Sequence, residues 1–362
     1  MGAYLGNLNP DSTFLSDIGS ATRLATSAPF LAYLQEAIYE RSDFIKSGVL
    51  RRDPRLTATV GTRIEAPFFD PINSTEEIIQ SNDTWGTSGA GHFTSQKVTA
   101  GTQYATITHR GFMYSADDLS KLGTGEDPLA FFRSQLADDL NKKRTAKLVS
   151  MLQGVFTTAL SGNVLDASAT SSPTDTNYLT AQNVTEAKYL LGERNQDLTT
   201  IAVHPTVAAY LEQIGALTFS TSALSTGGAI QWGGGGVGLT STEVGNFMGL
   251  RVIVDSQLPV EGTSGQSEQF VCYLMGGGAV YEGQQMPLRL EAERNVPSMQ
   301  DLVAVNYHHV YHLPGVSWSN AADNPTNAAL ATGTNWSLAF SDRRMVPAVK
   351  LVVNSPFGGL VP

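Results

Sequence analysis

One run of about 35 residues with helical spacing constrains this chain more than any other feature, because a helix of that length spans roughly 50 Å. Asp127-Pro128 opens it, an acidic cap followed by proline at the first helical position. Apolar side chains then recur every three or four residues: Leu129, Phe132, Leu136, Leu140, Leu148, Leu152, Val155 or Phe156, and Leu160. A polar face carries Asp138, Asp139, Lys142, Lys143, Arg144 and Lys147, with Asp138–Lys142 and Asp139–Lys143 in the favourable acid-first order. Gly162 stands where a stop is expected. The helix is about three times the usual length, which suits a flat, elongated domain better than a ball. Gly154 reads as a weak point, costing about 1 kcal/mol relative to alanine.

The flanking sequence differs in kind. Residues 1–45 are weakly patterned, and only Pro29 to Phe44 has helical spacing, so an extended arm is expected. Between residues 47 and 118 lie short β-prone runs such as Tyr104-Ala105-Thr106-Ile107-Thr108. A polar excursion from Asn73 to Gly91 separates them, which describes a long hairpin or flap. Few apolar residues lie in it, so it leans on another subunit or moves. After the helix, short helices are expected at Thr185–Gly192 and from Pro205. Strands are expected at Thr199–Val203, Leu250–Val254, Phe270–Met275, Pro287–Glu293, Leu302–Tyr311, Ser337–Phe340 and Val349–Val353, and Gly227–Gly238 as a loop.

Composition narrows the function classes. Of 362 residues only 15% are charged, 35 are glycine, and the net charge is −10. An acidic chain is a poor tight binder of nucleic acid, although it can wall a container filled by other means. The one cysteine, Cys272, sits in an apolar run and reads as a buried, inert thiol. Met1 to Pro10 carries neither a basic stretch nor an apolar run, and no segment is long and apolar enough for a membrane span, so no signal peptide and no membrane are expected.

The motifs that suggest chemistry are weak. Gly233, Gly235 and Gly238 fit a dinucleotide pattern, but Leu239-Thr240-Ser241-Thr242 is poor helix material. His308, His309 and His312 could share a metal on a helix; their β-branched and aromatic neighbours favour a strand instead, with the histidines at a subunit contact or in the core. His204 before Pro205 reads as a helix-start residue. Glu291 and Glu293 would share one face of a strand, as a charge row or an acid/base pair. No catalytic, cofactor-binding or metal residue is assigned. Arg51, Arg52 and Arg55 form the basic cluster outside the long helix.

In order and spacing, these pieces resemble the Hong Kong 97-type major capsid proteins of tailed bacteriophages. Ala66-Pro67-Phe68-Phe69-Asp70 to Thr108-His109-Arg110-Gly111 resembles their extended loop, and Asp117-Asp118-Leu119 through Asp127-Pro128 resembles the approach to their spine helix. Val203-His204-Pro205, Gly249 to Asp255, Gly278-Ala279-Val280 and Leu288 to Arg294 resemble strands of the later domain and its return. The resemblance covers roughly residues 45–320 and implies an α+β fold divided as follows. An N-terminal arm takes 1–60, an extended loop 61–118, and a peripheral domain 119–185 with a spine helix at about 127–161. An axial domain takes 186–285, return strands 286–320, and a C-terminal extension 321–362. It implies a structural protein and not an enzyme, a homo-oligomer of hexamers and pentamers in an icosahedral shell around double-stranded DNA, within the virion and assembled in the host bacterial cytoplasm. Implied partners are a portal, a decoration protein and non-specific contact with DNA; nothing before residue 30 is coiled-coil-like, unlike family versions with a helical N-terminal scaffolding segment, so a separate scaffolding protein, or none, is expected. Phe68, Phe69, Trp85 and Trp232 are expected at subunit contacts, and Arg51, Arg52, Arg55, Lys142 and Lys143 at basic contacts. An encapsulin-like compartment and a β-rich hydrolase are the competing readings.

Overall fold

The computed structural model describes Phe44 and residues 47–57, 61–70, 72, 76, 97–117, 128–216, 245–262 and 267–358. Residues 1–43 of the sequence-expected arm, the flap beyond its base, the Asp127 cap and the 227–238 loop fall outside these residues.

The long helix, α1, spans Pro128–Thr157, 30 residues. Its backbone leaves helical pairing near the expected stop, where Leu160 N–H donates to Val155 O at 2.9 Å. Each half of α1 sits in a different core. Leu136, Ala137 and Leu140 pack with Leu290, Val303, Val305 and Tyr307. Leu148, Leu152, Val155 and Phe156 pack with Val271, Tyr273, Met275 and Trp318.

The first core lies on a five-stranded sheet. Its strands are β1 (Leu50–Arg52), β2 (Arg63–Phe69), β3 (Ala100–Asp117), β10 (Val280–Asn295) and β11 (Gln300–His312). Their order is β1-β10-β11-β3-β2, with β1 parallel to β10 and the other pairs antiparallel. Alternation aims Val303, Val305 and Tyr307 at the helix and leaves Asn306 exposed on the other face.

The second sheet is seven-stranded and mixed. It contains β4 (Val164–Asp166), β5 (Leu198–Val203), β6 (Asn246–Phe247), β7 (Leu250–Val254), β8 (Val260–Glu261), β9 (Gln269–Gly276) and β14 (Ala348–Val353). The order is β4-β14-β9-β5-β7-β6, with β8 beside β9. Side chains on both faces of β9 are buried, one set with α1 and the other with α2 (Ala181–Tyr189) and α3 (Pro205–Gln213). That is why Phe270 to Met275 reads as one apolar run and not as an alternation. A small pair, β12 (Val316–Trp318) and β13 (Trp336–Leu338), and a short helix α4 (Asn327–Ala331) complete the core around α1.

Three readings of the sequence need correction. Residues 321–362 are not an appendage: β14 pairs with β9 and β4 inside the second sheet, because Val349, Leu351 and Val353 supply one face of its core. The boundary at 285 cuts through β10, whose ladder with β11 continues from Tyr281 to Asn295 across two register shifts. Gly154 is not a weak point. A methyl group there would collide with the Leu330 carbonyl oxygen and stand 2.6 Å from Trp336 Nε1, so glycine admits α4 against the helix.

Gly154→Ala is expected to lower thermal stability despite its gain in helix propensity. Overpacking costs about 1–3 kcal/mol against a propensity gain of about 1 kcal/mol. Scanning calorimetry of the variant reads the balance, and a raised melting temperature would refute the close approach.

Candidate assembly surfaces

The hairpin of β2 and β3 carries the first surface. Its register runs from Arg63↔Thr106 to Phe69↔Ala100, and Thr99 Oγ1 donates to Asp70 Oδ2 at 2.8 Å just beyond the last pair. Strand alternation separates the two phenylalanines. Phe68 turns inward over Gly101 and meets Phe340 edge-on at 5.2 Å, so it is half-buried within its own subunit. Phe69 is 78% exposed, and Ile72 (81%) and Val98 (63%) lie near it in the hairpin's course. Trp85 and Trp232 lie outside the described residues.

The basic candidates divide similarly. Arg51, Arg52 and Arg55 are exposed and line one concavity with Asp53, Pro54 and Tyr281. Lys142 is exposed on α1. Lys143 is held within the subunit: Nζ donates to Asp139 Oδ2 at 2.6 Å and lies 3.6 Å from the Phe112 ring centre. His204 caps α3, with Nδ1 accepting from Thr206 N–H at 3.3 Å. Glu291 and Glu293 are exposed on β10.

Sequence reasoning missed a buried ionic joint between α1 and the first sheet. Arg144 and Lys147, assigned by periodicity to the polar face, are 6% and 2% exposed. Arg144 Nη2 donates to Glu282 Oε1, and His309 Nδ1 stands 3.3 Å from the same oxygen. Lys147 Nζ lies 5.2 Å from the Tyr307 ring centre and has no hydrogen-bond acceptor among the described residues. His312 is buried, and neither ring nitrogen has a hydrogen-bond partner there. His308 stays half-buried, stacked on His109 at 4.0 Å, and the two rings share Gln285 Oε1. The signal available in the sequence was Glu282, a lone acid in an otherwise apolar strand start that needs a cation if buried.

Among the described residues no three metal-ligating side chains cluster, and no helix is long and apolar enough to cross a membrane. A family model described as Gp13-like, major capsid protein 13-like, matches residues 87–349. The chain belongs to this family. It is a phage major capsid protein, and its place is the virion shell. The major capsid protein of Bacillus phage SPP1 is 26% identical over 326 residues, covering 87% of this chain and 92% of that relative. Two solved structures show the same fold. The capsid of Ralstonia phage GP4 matches with a TM-score of 0.56 at 12% identity, covering 85% of this chain and 88% of that one. The Cyanophage Pam1 capsid asymmetric unit matches at 0.55 and 10%, covering 87% and 93%. These relatives are capsid proteins and lend no support to an encapsulin-like compartment or a β-rich hydrolase. A capsid family implies a structural role.

For a capsid subunit the joint sets acid tolerance. Burial pushes His309 down to about 4 against the pull of Glu282, and it pushes His312 to about 4 against Asp53. Burial, then the nearby Arg110 and Arg144, lower Lys147 to about 7. Burial would raise Glu282, but the His309 contact and the Arg144 charge outweigh it and hold the carboxyl down to about 2. For both histidines the folded value lies below the unfolded one. Their contribution is therefore whole above about pH 6.5 and is lost as the pH falls towards 4.

Two outcomes follow for the capsid protein. His312→Leu should gain about 2 kcal/mol relative to wild type between pH 8 and pH 5, from about 1.5 units of avoided protonation; parallel denaturant titrations at the two pH values measure it, and an equal gap at both refutes it. Glu282→Gln removes the anion from buried Arg144 and should cost about 3–5 kcal/mol, read as an early unfolding midpoint in urea.

Proposed function

We propose that this capsid protein tiles as hexamers and pentamers into a closed icosahedral shell around packaged double-stranded DNA. The exposed apolar base of the β2–β3 hairpin carries the reading. Phe69, Ile72 and Val98 stand in water although the subunit has large cores available to it, and such exposure beside a polar flap suits a neighbour's surface. A standard interface buries about 1,600 Å², a little over half of it apolar. At about 25 cal/mol per Å² that is roughly 20 kcal/mol gross, most of it offset by lost freedom and polar desolvation. Several such contacts per subunit make a sturdy wall with no chemical bond between copies.

In this reading the five-stranded sheet with the first half of α1 serves as the peripheral part, and the seven-stranded sheet serves as the axial part. The arm and the flap adapt one sequence to five-fold and six-fold surroundings. A separate scaffolding protein guides closure, a portal occupies one vertex, and a decoration protein is a further partner. Assembly takes place in the host cytoplasm.

Deleting residues 73–91 tests the reading. The expected product is a folded subunit with an unchanged circular-dichroism spectrum that forms no closed shells under electron microscopy. Normal particles from the deletion would sink it.

A further inference from the structure

Many of the described cations are neutralised or fully hydrogen-bonded inside the subunit. Arg144 meets Glu282, Lys143 meets Asp139, Arg194 meets Asp197 and Arg344 meets Asp342. The turn at residues 51–55 differs. It presents three guanidinium groups around one concavity of about 440 Å³, open to solvent on one side. The one carboxylate among its described residues, Asp53, turns Oδ1 back to accept from Arg55 N–H at 2.9 Å. Among the described residues its lining is therefore mainly cationic, on a chain whose net charge is −10.

The turn is anchored, so the charges are not on a loose tether. β1 pairs with β10 from Leu50↔Val280 to Arg52↔Glu282, and Asp53 N–H donates to Glu282 O at 3.1 Å. Leu56 is buried directly over Gly283, where any side chain would collide with it. Burying Leu56 pins the short 3-10 turn Pro54–Leu56 and so fixes where Arg55 points from. Arg51 leans its stem across Gly278, whose positive φ of 69° closes the neighbouring turn. Arg52 is already engaged within the chain and adds charge to the site; Arg51 and Arg55 carry the ligand.

We propose that Arg51 and Arg55, with Tyr281 as the floor, form a phosphodiester-binding site that takes the backbone of duplex DNA without reading its sequence. Guanidinium forks match paired phosphate oxygens. Among the described residues the lining holds no amide or carboxamide side chain set to read a base edge, so the contact positions and does not specify. An open, shallow concavity suits a rod passing across it, whereas an acidic peptide side chain gains most from an enclosed slot. The inference rests on the reading that the shell holds DNA, and it assigns the face bearing residues 51–55 to the interior.

The test uses full-length subunits and shells. A short fluorescent duplex is titrated by anisotropy over a salt series with wild type, with Arg51→Gln/Arg55→Gln and with Arg51→Lys/Arg55→Lys. The log–log salt slope should fall in magnitude by about 2 in the glutamine variant, near 0.9 for each lost phosphate contact, and should survive in the lysine variant. An unchanged slope in the glutamine variant overturns the proposal. So does a polyglutamate peptide of matched charge that displaces the duplex at equal concentration, or binding of inorganic phosphate without binding of duplex. Should the glutamine variant fail to fold, the single substitution Arg55→Gln is read in its place, with a slope change of about 1 expected. Glutamine-variant shells that fill normally and bind duplex like wild type sink this site alone. Wild-type shells isolated from infected cells without DNA sink the reading beneath it.

Discussion

One helix belongs to two of the cores of this subunit and ties its two large sheets together. The first half of α1 packs on the five-stranded sheet and the second half is enclosed by the seven-stranded sheet, the β12–β13 pair and α4. A helix of 30 residues is about 45 Å long, and it can neither bend sharply nor shorten without breaking backbone hydrogen bonds. The two sheets are thereby held at a set separation along a stiff rod.

The rod crosses from one core to the other at its most polar stretch. Between Leu140 and Leu148 the helix offers Arg144 and Lys147 to the sheet, and the sheet answers with Glu282, His309 and Tyr307. A buried charge pair is weak support for stability in itself, since desolvation cancels much of the attraction. Its effect here is positional. One carboxylate holds the Arg144 guanidinium and faces the His309 imidazole, so sliding the helix by one turn would strand charges in an apolar interior. Hydrophobic packing alone would tolerate such a slip far better.

Much of this architecture was legible in the residues, and the failures have physical causes. Periodicity marked α1 because its apolar side chains repeat at helical spacing, and the apolar run at Phe270 to Met275 marked β9 because both its faces are covered. The His204 cap was legible because proline follows it. Periodicity failed at Arg144 and Lys147 because it reads a charged side chain as exposed and cannot see an acid that lies 138 positions away in sequence from Arg144. It failed at Gly154 because propensity scores a residue against its own helix, whereas the deciding neighbour is the Leu330 carbonyl on α4. Phe68 and Phe69 looked alike in sequence, and strand alternation sent one to Phe340 and the other to solvent.

The place of β14 has a consequence for how the protein is made. Ala348–Val353 sits between β4 and β9, and Asn354 reaches back to Ala169 and Glu268 through its side-chain amide. The chain must therefore be made as far as Val353 before the second sheet can close. Until then β9 keeps one raw edge and β4 lacks its pairing strand. A copy made only as far as β9 lacks the strand that joins β9 to β4, so the second sheet is a late product of synthesis although β4 and β9 are made before it.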